Sequence, residues 1–559
     1  MKIQKIKNIG LGILASTTML FTSCLNDLDV LPQDPDNVVA QQLYTTKTGY
    51  EQVLAKVYAG LSLTGQKGPA GDGDVGGIDE GTSSYIRNLW NAQVLVTDEA
   101  ICAWGDFGVS ELNNLKFSPA NPFMEGLYYR LYNEIAMSNE FLRQSTDANL
   151  DARGQSNIKD DIKVYRAEAR FIRAYSYWVL MDVFGNVPFV TEEMGVGTYL
   201  PQQKMRGDLY DWLITEVEAF TPDMLEAMTA PYGRVDKGAA WMLMAKIYLN
   251  AEVYKGTSVA GNWDKVVEYT TKVNDAYTFY TGSYKHLFYA DNNNATVRSG
   301  FIFTIPYDGD KMQTYGGTNF LAFSATGGEI APDAIGLSGG WGGNRARPQL
   351  IDRFSTGDFR GYVEPKTYKT VQQDGKDVEV VDKGFAGMFF DSGKKAVDNP
   401  AKYSDGYGVM KFRNIAQDPT NSPSNKDFVT TDFPMFRLAD SYLMYAEAVV
   451  RGATFGTRTK ALELLNKIRT RAYGDASGAV TDTDLNTDFI LDERGRELFW
   501  ECSRRTDLIR FNKFTSSDYV WEWKGGSKSG SGVNRKYRLF PLPGKDVGAN
   551  TNLNQNSGY

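Results

Sequence analysis

The chain has 559 residues, of which 42% are apolar and 23% charged, with a formal net charge of −8. That composition supports a large folded core. The negative balance, with no long Lys/Arg run beyond the first seven residues, excludes a surface that tracks nucleic-acid phosphates.

The first segment reads MKIQKIKNIGLGILASTTMLFTSC. Lys2, Lys5 and Lys7 form a positive start. The apolar stretch Ile9 to Phe21 is too short and too interrupted to span a bilayer. Small residues Thr22 and Ser23 then precede Cys24. This is the pattern of a bacterial lipoprotein signal. Residues 1–23 are expected to be removed as a signal peptide, leaving Cys24 to carry acyl chains. No other stretch approaches a membrane-spanning apolar length, so contact with a membrane is expected through the lipid anchor only. Residues 24–40, polar and carrying Pro32 and Pro35, read as a tether. No composition shift marks a later linker, so 41–559 is expected to be one domain.

Helical spacing begins at 41–64 with Tyr50, Val53, Leu54, Val57 and Leu61. A Gly/Asp-rich loop follows over 65–84. Residues 162–184 place Val164, Ala167, Phe171, Ala174, Tyr175 and Trp178 on one stripe, ended by Gly185 and Pro188. Further helices are predicted over 208–219, 236–254, 263–276, 436–450, 458–472 and 487–513. Ala239, Ala240, Ala245, Ala446 and Ala448 are small residues where paired helices could approach closely, as in stacked tetratricopeptide-like hairpins. The segment 280–435 lacks helical period and is rich in Gly, Asn, Asp and aromatics. It is expected to hold short strands and irregular loops that carry function. The fold class is thus mostly α, a helical-hairpin scaffold with an irregular ligand face.

Chemistry-bearing residues are few. A single histidine, His286, excludes HExxH zinc sites, paired-histidine metal sites and Ser-His-Asp triads, and it reads as a structural residue. Carboxylate-pair glycoside hydrolysis needs no histidine and passes this filter. Cys102 and Cys502 fit no metal spacing, and read as free thiols rather than a bridge that spacing alone could place. Aromatics reach 13%, more than a core requires, and Tyr and Trp also present flat faces to ligands.

Four stretches together resemble the SusD/RagB family: the Cys24 signal, RAEARFIRAYSYWVLMDVFGNVPFV from Arg166, ERGRELFWECSRRTDLIRFNKF from Glu493, and LFPLPGKDVGANTNLNQNSGY at the end. The resemblance runs through nearly the whole mature chain. It implies a non-catalytic lipoprotein on the extracellular face of the outer membrane. Its tetratricopeptide-like scaffold would support a variable ligand face, and the protein would act as the lid of a SusC-type TonB-dependent transporter. Oligosaccharides, or less often peptides, would be its ligands.

GQKGPAGDGDVGGIDEG (from Gly65), TDEAICAW (from Thr97), TYGGTNFL (from Thr314), GWGGNRAR (from Gly340) and YVWEWKGG (from Tyr519) resemble the starch-binding branch of the family. That likeness assigns α-glucan contacts to Arg87, Trp104, Tyr315 and Trp341. For each, the alternative is ordinary packing or, for Arg87, a surface ion pair. One departure stands out. The branch has tryptophan at both ends of a W-A-W triplet, where this chain has Cys102-Ala103-Trp104. An asparagine expected shortly after Trp104 is also missing. The ligand could therefore be another glycan, such as a fructan or dextran. A glycoside hydrolase and a ligand-free assembly subunit are the remaining alternatives. The likeness also implies a structural calcium at Asp291 and Asp432, with an Asx turn as the alternative. No other cofactor is implied. Trp521 and Trp523 read as core or transporter contacts.

Overall fold

The computed structural model describes residues 43–559 except 70–72, 196, 198, 329, 366, 374 and 383–386. The signal peptide, Cys24 and the whole tether at 24–40 lie outside the described residues.

Helix α1 (Lys47–Ala59) starts at Thr46, whose hydroxyl accepts from the Gly49 N–H at 3.1 Å. Its buried Tyr50, Leu54 and Val57 recur at helical spacing, as expected. The short helix α2 (Tyr85–Trp90) runs toward the three-residue strand β1 (Ala100–Cys102). Helix α3 (Pro122–Gln144) is capped by Asn121, with proline at its first position. The predicted stripe at 162–184 lies on α4 (Lys159–Val183), and Gly185 follows it in the left-handed region at φ +79°. Helices α5 (Arg206–Phe220), α6 (Lys237–Leu249) and α7 (Asn262–Ala276) come next.

The irregular segment contributes strand β2 (Phe301–Ile305), helix α8 (Gly317–Ala325) and strands β3 (Asn344–Ala346), β4 (Val363–Glu364), β5 (Phe389–Asp391), β6 (Tyr407–Val409) and β7 (Phe433–Arg437). Helices α9 (Leu438–Val450), α10 (Arg458–Tyr473), α11 (Thr487–Leu498) and α12 (Arg504–Arg510) complete the scaffold. Successive helices pack as neighbours: α3 on α4, α4 on α5, α6 on α7, α7 on α9, and α9 on α10. The five alanines read as contact residues are all fully buried. The chain is a helical scaffold with short strands.

Four expectations need correction. The helix read at 236–254 is two, α6 and the short Ala251–Lys255, parted at Asn250 where the backbone leaves helical geometry. The helix read at 436–450 begins at Leu438, because Phe436 and Arg437 belong to β7, paired with β2. No helix was foreseen at Gly317–Ala325. It is buried at every residue, so it shows no amphipathic stripe. The single helix read at 487–513 is two helices. Trp500 and Cys502 between them adopt φ of +63° and +61°. The Trp500 N–H donates to the Glu99 carboxylate at 2.9 Å, and its ring meets Trp90 at 5.0 Å. Those buried contacts override the helical period.

Other readings hold. Cys102 and Cys502 are free thiols. His286 shares a hydrogen bond of 3.0 Å with the Tyr280 hydroxyl, a structural role. Trp521 is buried, and the Trp523 indole donates to the Val397 carbonyl at 2.8 Å.

The ERGREL stretch of α11 lies inside an ion network. Glu493 and Glu497 are fully buried. Arg360 bridges them at 2.8 and 2.9 Å and also holds Asp358. Arg437, at the end of β7, reaches Glu497 at 2.6 Å and Glu501 at 2.5 Å. Lys411 joins at Glu501, Arg469 at Glu493 and Arg471 at Glu497. Burial pushes the Glu493 carboxyl up, but Arg360, Arg496 and Arg469 outweigh it and hold it at about 2. The network ties α11 to the irregular segment and to α10. Removing one charge leaves its partners buried without compensation, which costs about 3–5 kcal/mol. Glu497→Ala is therefore expected to lower unfolding stability by about that amount in urea titration. A loss below about 1 kcal/mol would show the network to be dispensable.

Candidate glycan-binding site

The irregular segment is stitched to the rest of the chain by one small sheet of order β1-β3-β6-β5-β4. Strands β1 and β3 pair antiparallel, with Ala100 opposite Ala346 and Cys102 opposite Asn344. The Ala103 N–H extends the ladder by donating to the Gly343 carbonyl at 2.9 Å. Antiparallel register makes Trp104 leave one strand where Trp341 and its glycines enter the other.

The GWGGN loop also seals the end of α8. The N–H groups of Trp341, Gly343 and Gly342 donate to the carbonyls of Phe323, Ser324 and Thr326, each at 2.8 Å. These are the acceptors a helix end leaves open. Such close backbone contact needs glycine. A Cβ at Gly340 would stand 2.4 Å from the Thr326 carbonyl oxygen, and one at Gly343 only 2.3 Å from the Trp104 indole. The Trp104 Nε1–H donates to the Trp341 carbonyl at 3.1 Å, which fixes the indole against the loop.

The rings predicted from the sequence form one row. Trp104 and Trp341 lie 6.4 Å apart between centroids, inclined at 47°. Trp341 and Tyr315 are also 6.4 Å apart, inclined at 64°. Phe428 continues the row at 5.6 Å from Tyr315, and Phe323 backs Trp341 at 5.2 Å. Tyr315 is 44% exposed and Trp341 37%, so both keep free faces. Trp104 is half-buried. The surface is stepped rather than flat, because each ring tilts against the next.

Arg87 lies behind this row on α2. Its guanidinium carbon is 5.8 Å from the Trp104 ring centre, 5.2 Å from Phe123 and 5.1 Å from Phe320. Nη1 donates to the Gly81 carbonyl at 2.5 Å, while Nε has no hydrogen-bond partner among the described residues. Burial lowers its pKa, and the nearby Cys102 and Asp106 oppose that shift. The surface ion pair offered as an alternative is not what holds it: three aromatic rings surround it. Ser84, at the start of α2, accepts from the Gly317 N–H at 3.2 Å, so the Tyr315 loop and Arg87 share one support.

Cys102 contributes no ring to the row. Its side chain is buried, its backbone is bonded on both sides by Asn113, and burial pushes the thiol up to about 12. Phe428 was missed by sequence reading, as were the supporting rings Phe320 and Phe323. All three lie in the irregular segment, and only three-dimensional pairing sets them beside Trp341 and Trp104. Phe107, 67% exposed, lies on the same loop as Trp104 and was also passed over.

The two aspartates named for calcium serve different networks. Asp291 accepts from the Gln417 N–H through both oxygens at 3.1 Å. Asp432 is buried and accepts from the Tyr232 hydroxyl at 2.5 Å and the Tyr307 N–H at 2.8 Å. Burial raises its pKa to about 6. Among the described residues no three His, Cys, Asp or Glu side chains gather as a metal group. Calcium takes six to eight oxygens, so these two carboxylates, already engaged, do not fit it as they stand.

A cavity of about 1250 Å³ lies elsewhere, between α7, α9, α10 and the 277–285 turn. It shares no residue with the aromatic row.

Two family models match the sequence. "SusD family" covers residues 299–559, and "Starch-binding associating with outer membrane" covers 51–249. The starch-binding protein SusD of Bacteroides thetaiotaomicron is 33% identical over 593 aligned positions, spanning 100% of both chains. SusD-like protein P25 of Formosa agariphila is 26% identical, over 91% of this chain and 90% of its own. Among solved structures, surface glycan-binding protein A from Bacteroides fluxus aligns with a TM-score of 0.66 at 20% identity, covering 92% of this chain and 100% of that one. Surface glycan-binding protein A from Bacteroides thetaiotaomicron, in complex with laminarihexaose, aligns with a TM-score of 0.65 at 19% identity, covering 91% and 99%. The chain belongs to the SusD family.

Proposed function

We propose that this chain is a surface receptor that captures α-glucan oligosaccharides on the row formed by Trp104, Trp341 and Tyr315. The single observation behind the reading is the convergence of those rings, Trp104 from a loop more than two hundred positions before the other two, with two faces open to solvent. A sugar ring has an apolar C–H face that an aromatic ring buries, and a rim of hydroxyls that polar groups bond. Arg87, behind Trp104 with its guanidinium carbon 5.8 Å from that ring's centre, is the cation this reading assigns to a sugar hydroxyl. The inclinations of 47° and 64° suit a glucan that curls and would fit a flat ribbon poorly. The starch-binding name carried by the relative at 33% identity favours the α-linked polymer. Laminarin, named for one neighbour of similar fold, is the second reading to be tested.

In this reading the chain binds and does not cleave, and needs no cofactor. Acylated Cys24 would hold it to the outer membrane with the row facing outward. The captured glycan would pass to a SusC-type TonB-dependent transporter. Weak binding spread over several rings suits a protein that must release its ligand onward.

Affinity electrophoresis of the mature chain in gels containing starch, dextran, inulin or laminarin is the test. Retardation is expected in starch, without release of reducing sugar. Trp341→Ala is expected to weaken binding about tenfold or more, as loss of a stacked, partly desolvated ring costs at least about 1–2 kcal/mol. Retardation only in laminarin or inulin would reject the α-glucan, and retardation only in dextran would reject starch as the ligand. Retardation in none would reject the receptor reading.

Gly343→Val supplies an independent check. A side chain there must displace the Trp104 indole. Starch affinity is expected to fall as far as in Trp104→Ala while circular dichroism stays native. Unchanged affinity would show that Trp104 placement is irrelevant.

A further inference from the structure

A second pocket, of about 750 Å³, opens between α5, the turn after α6 and the C-terminal 3₁₀ turn Arg535–Arg538. It shares no residue with the aromatic row. Arg510, ion-paired with Glu447 and Asp507, sits in its wall, and four further cations, Arg206, Arg535, Lys536 and Arg538, line it. None of these four cations has a carboxylate ion-pair partner among the described residues. Elsewhere in the molecule Arg360, Arg437, Arg494 and Arg504 are all ion-paired. The chain as a whole is acidic, at −8. A concentration of unneutralised positive charge in one concave site therefore needs an explanation.

The hydrogen bonds of these cations go to neutral groups, although the Asp182 charge lies close to Arg206. Arg206 donates from Nε to the Met181 carbonyl at 3.0 Å, and its guanidinium lies 4.9 Å from the Tyr254 ring centre. Arg538 donates from Nη2 to Asn512 at 3.0 Å, while its buried Nε has no hydrogen-bond partner among the described residues. Lys536 reaches the Gly558 carbonyl at 2.9 Å. Arg535 is exposed. Arg538 is held below the usual guanidinium range by burial and by the like charges of Arg535 and Arg206. Glu252, exposed at the rim, is the one acidic lining residue among those described.

We propose that this pocket binds a phosphoryl group. A tetrahedral dianion matches several convergent cations better than a single carboxylate does. Guanidinium forks and an ammonium are the groups that recognise it. The bound group would relieve the mutual repulsion of the cations. Free phosphate, a phosphorylated sugar and a lipid phosphomonoester present the same chemistry. The proposal is independent of the glycan reading, since it uses none of those residues.

The test uses the mature chain at low ionic strength. Isothermal titration is run with inorganic phosphate, glucose 6-phosphate and glucuronate. Flotation is run with phosphatidylcholine vesicles with and without phosphatidic acid. Saturable binding of a phosphate-bearing probe is expected, with glucuronate at least about tenfold weaker. Arg535→Ala/Arg538→Ala is expected to weaken it about tenfold or more. Glu252→Gln is expected to strengthen it, an opposite change that misfolding would not give. Binding in the small-molecule arms assigns a soluble ligand. Binding to phosphatidic acid vesicles alone assigns a lipid headgroup. No saturable binding in any phosphate arm, binding unaffected by the double variant, or equal affinity for glucuronate would overturn the proposal. Starch retardation of the double variant is expected to match the parent chain, which separates this failure from that of the glycan reading.

Discussion

The antiparallel pairing of Ala100–Cys102 with Asn344–Ala346 is the constraint on which the candidate site rests. These few residue pairs join segments far apart in the chain, and their register sets the placement of the rings. Trp104 and Trp341 leave the paired strands on neighbouring paths. The glycines beside Trp341 then permit the backbone contact that closes α8 and seats the Trp104 indole. A slip of one residue would turn the side chains to the opposite face and dissolve the row. The rings are also fixed before any ligand arrives, by an indole hydrogen bond and by Phe323 behind Trp341. Preorganisation of this kind reduces the ordering cost of binding.

The helical scaffold does a different job. Its most charged stretch, ERGREL on α11, is buried in ion pairs with arginines from 360, 437, 469 and 471. Such pairs contribute little net stability over apolar packing, because desolvation offsets attraction. They do penalise misplacement, since any shift strands a buried charge. The irregular segment lacks long elements of its own. It meets α11 through Arg360 and reaches Glu501 just beyond it through Lys411, so the network positions loops with little regular support.

Much of this was legible in the sequence. Long amphipathic helices declare themselves by period, and α4, α5, α7 and α10 fall close to their predicted ranges. The limits are equally physical. Helix α8 is buried on all sides and carries no stripe to read. The break at 499–503 comes from Trp500 contacts with Glu99 and Trp90, about four hundred positions away. In the site, Arg87, Trp104, Tyr315 and Trp341 were identified by family likeness, and the structure brings all four together. Phe428, Phe323 and Phe320 carried no local signal. They are ordinary phenylalanines until tertiary pairing places them beside the row. Asp291 and Asp432 show the converse. Sequence likeness grouped them, but their carboxylates answer to Gln417 in one case and to Tyr232 and Tyr307 in the other.

A crystal structure of the mature chain soaked with maltoheptaose probes the ring row most directly. Glucosyl rings stacked on Trp104, Trp341 and Tyr315, with a hydroxyl within reach of Arg87, are the expected result. Ordered sugar elsewhere on the surface, with those rings bare, would contradict it.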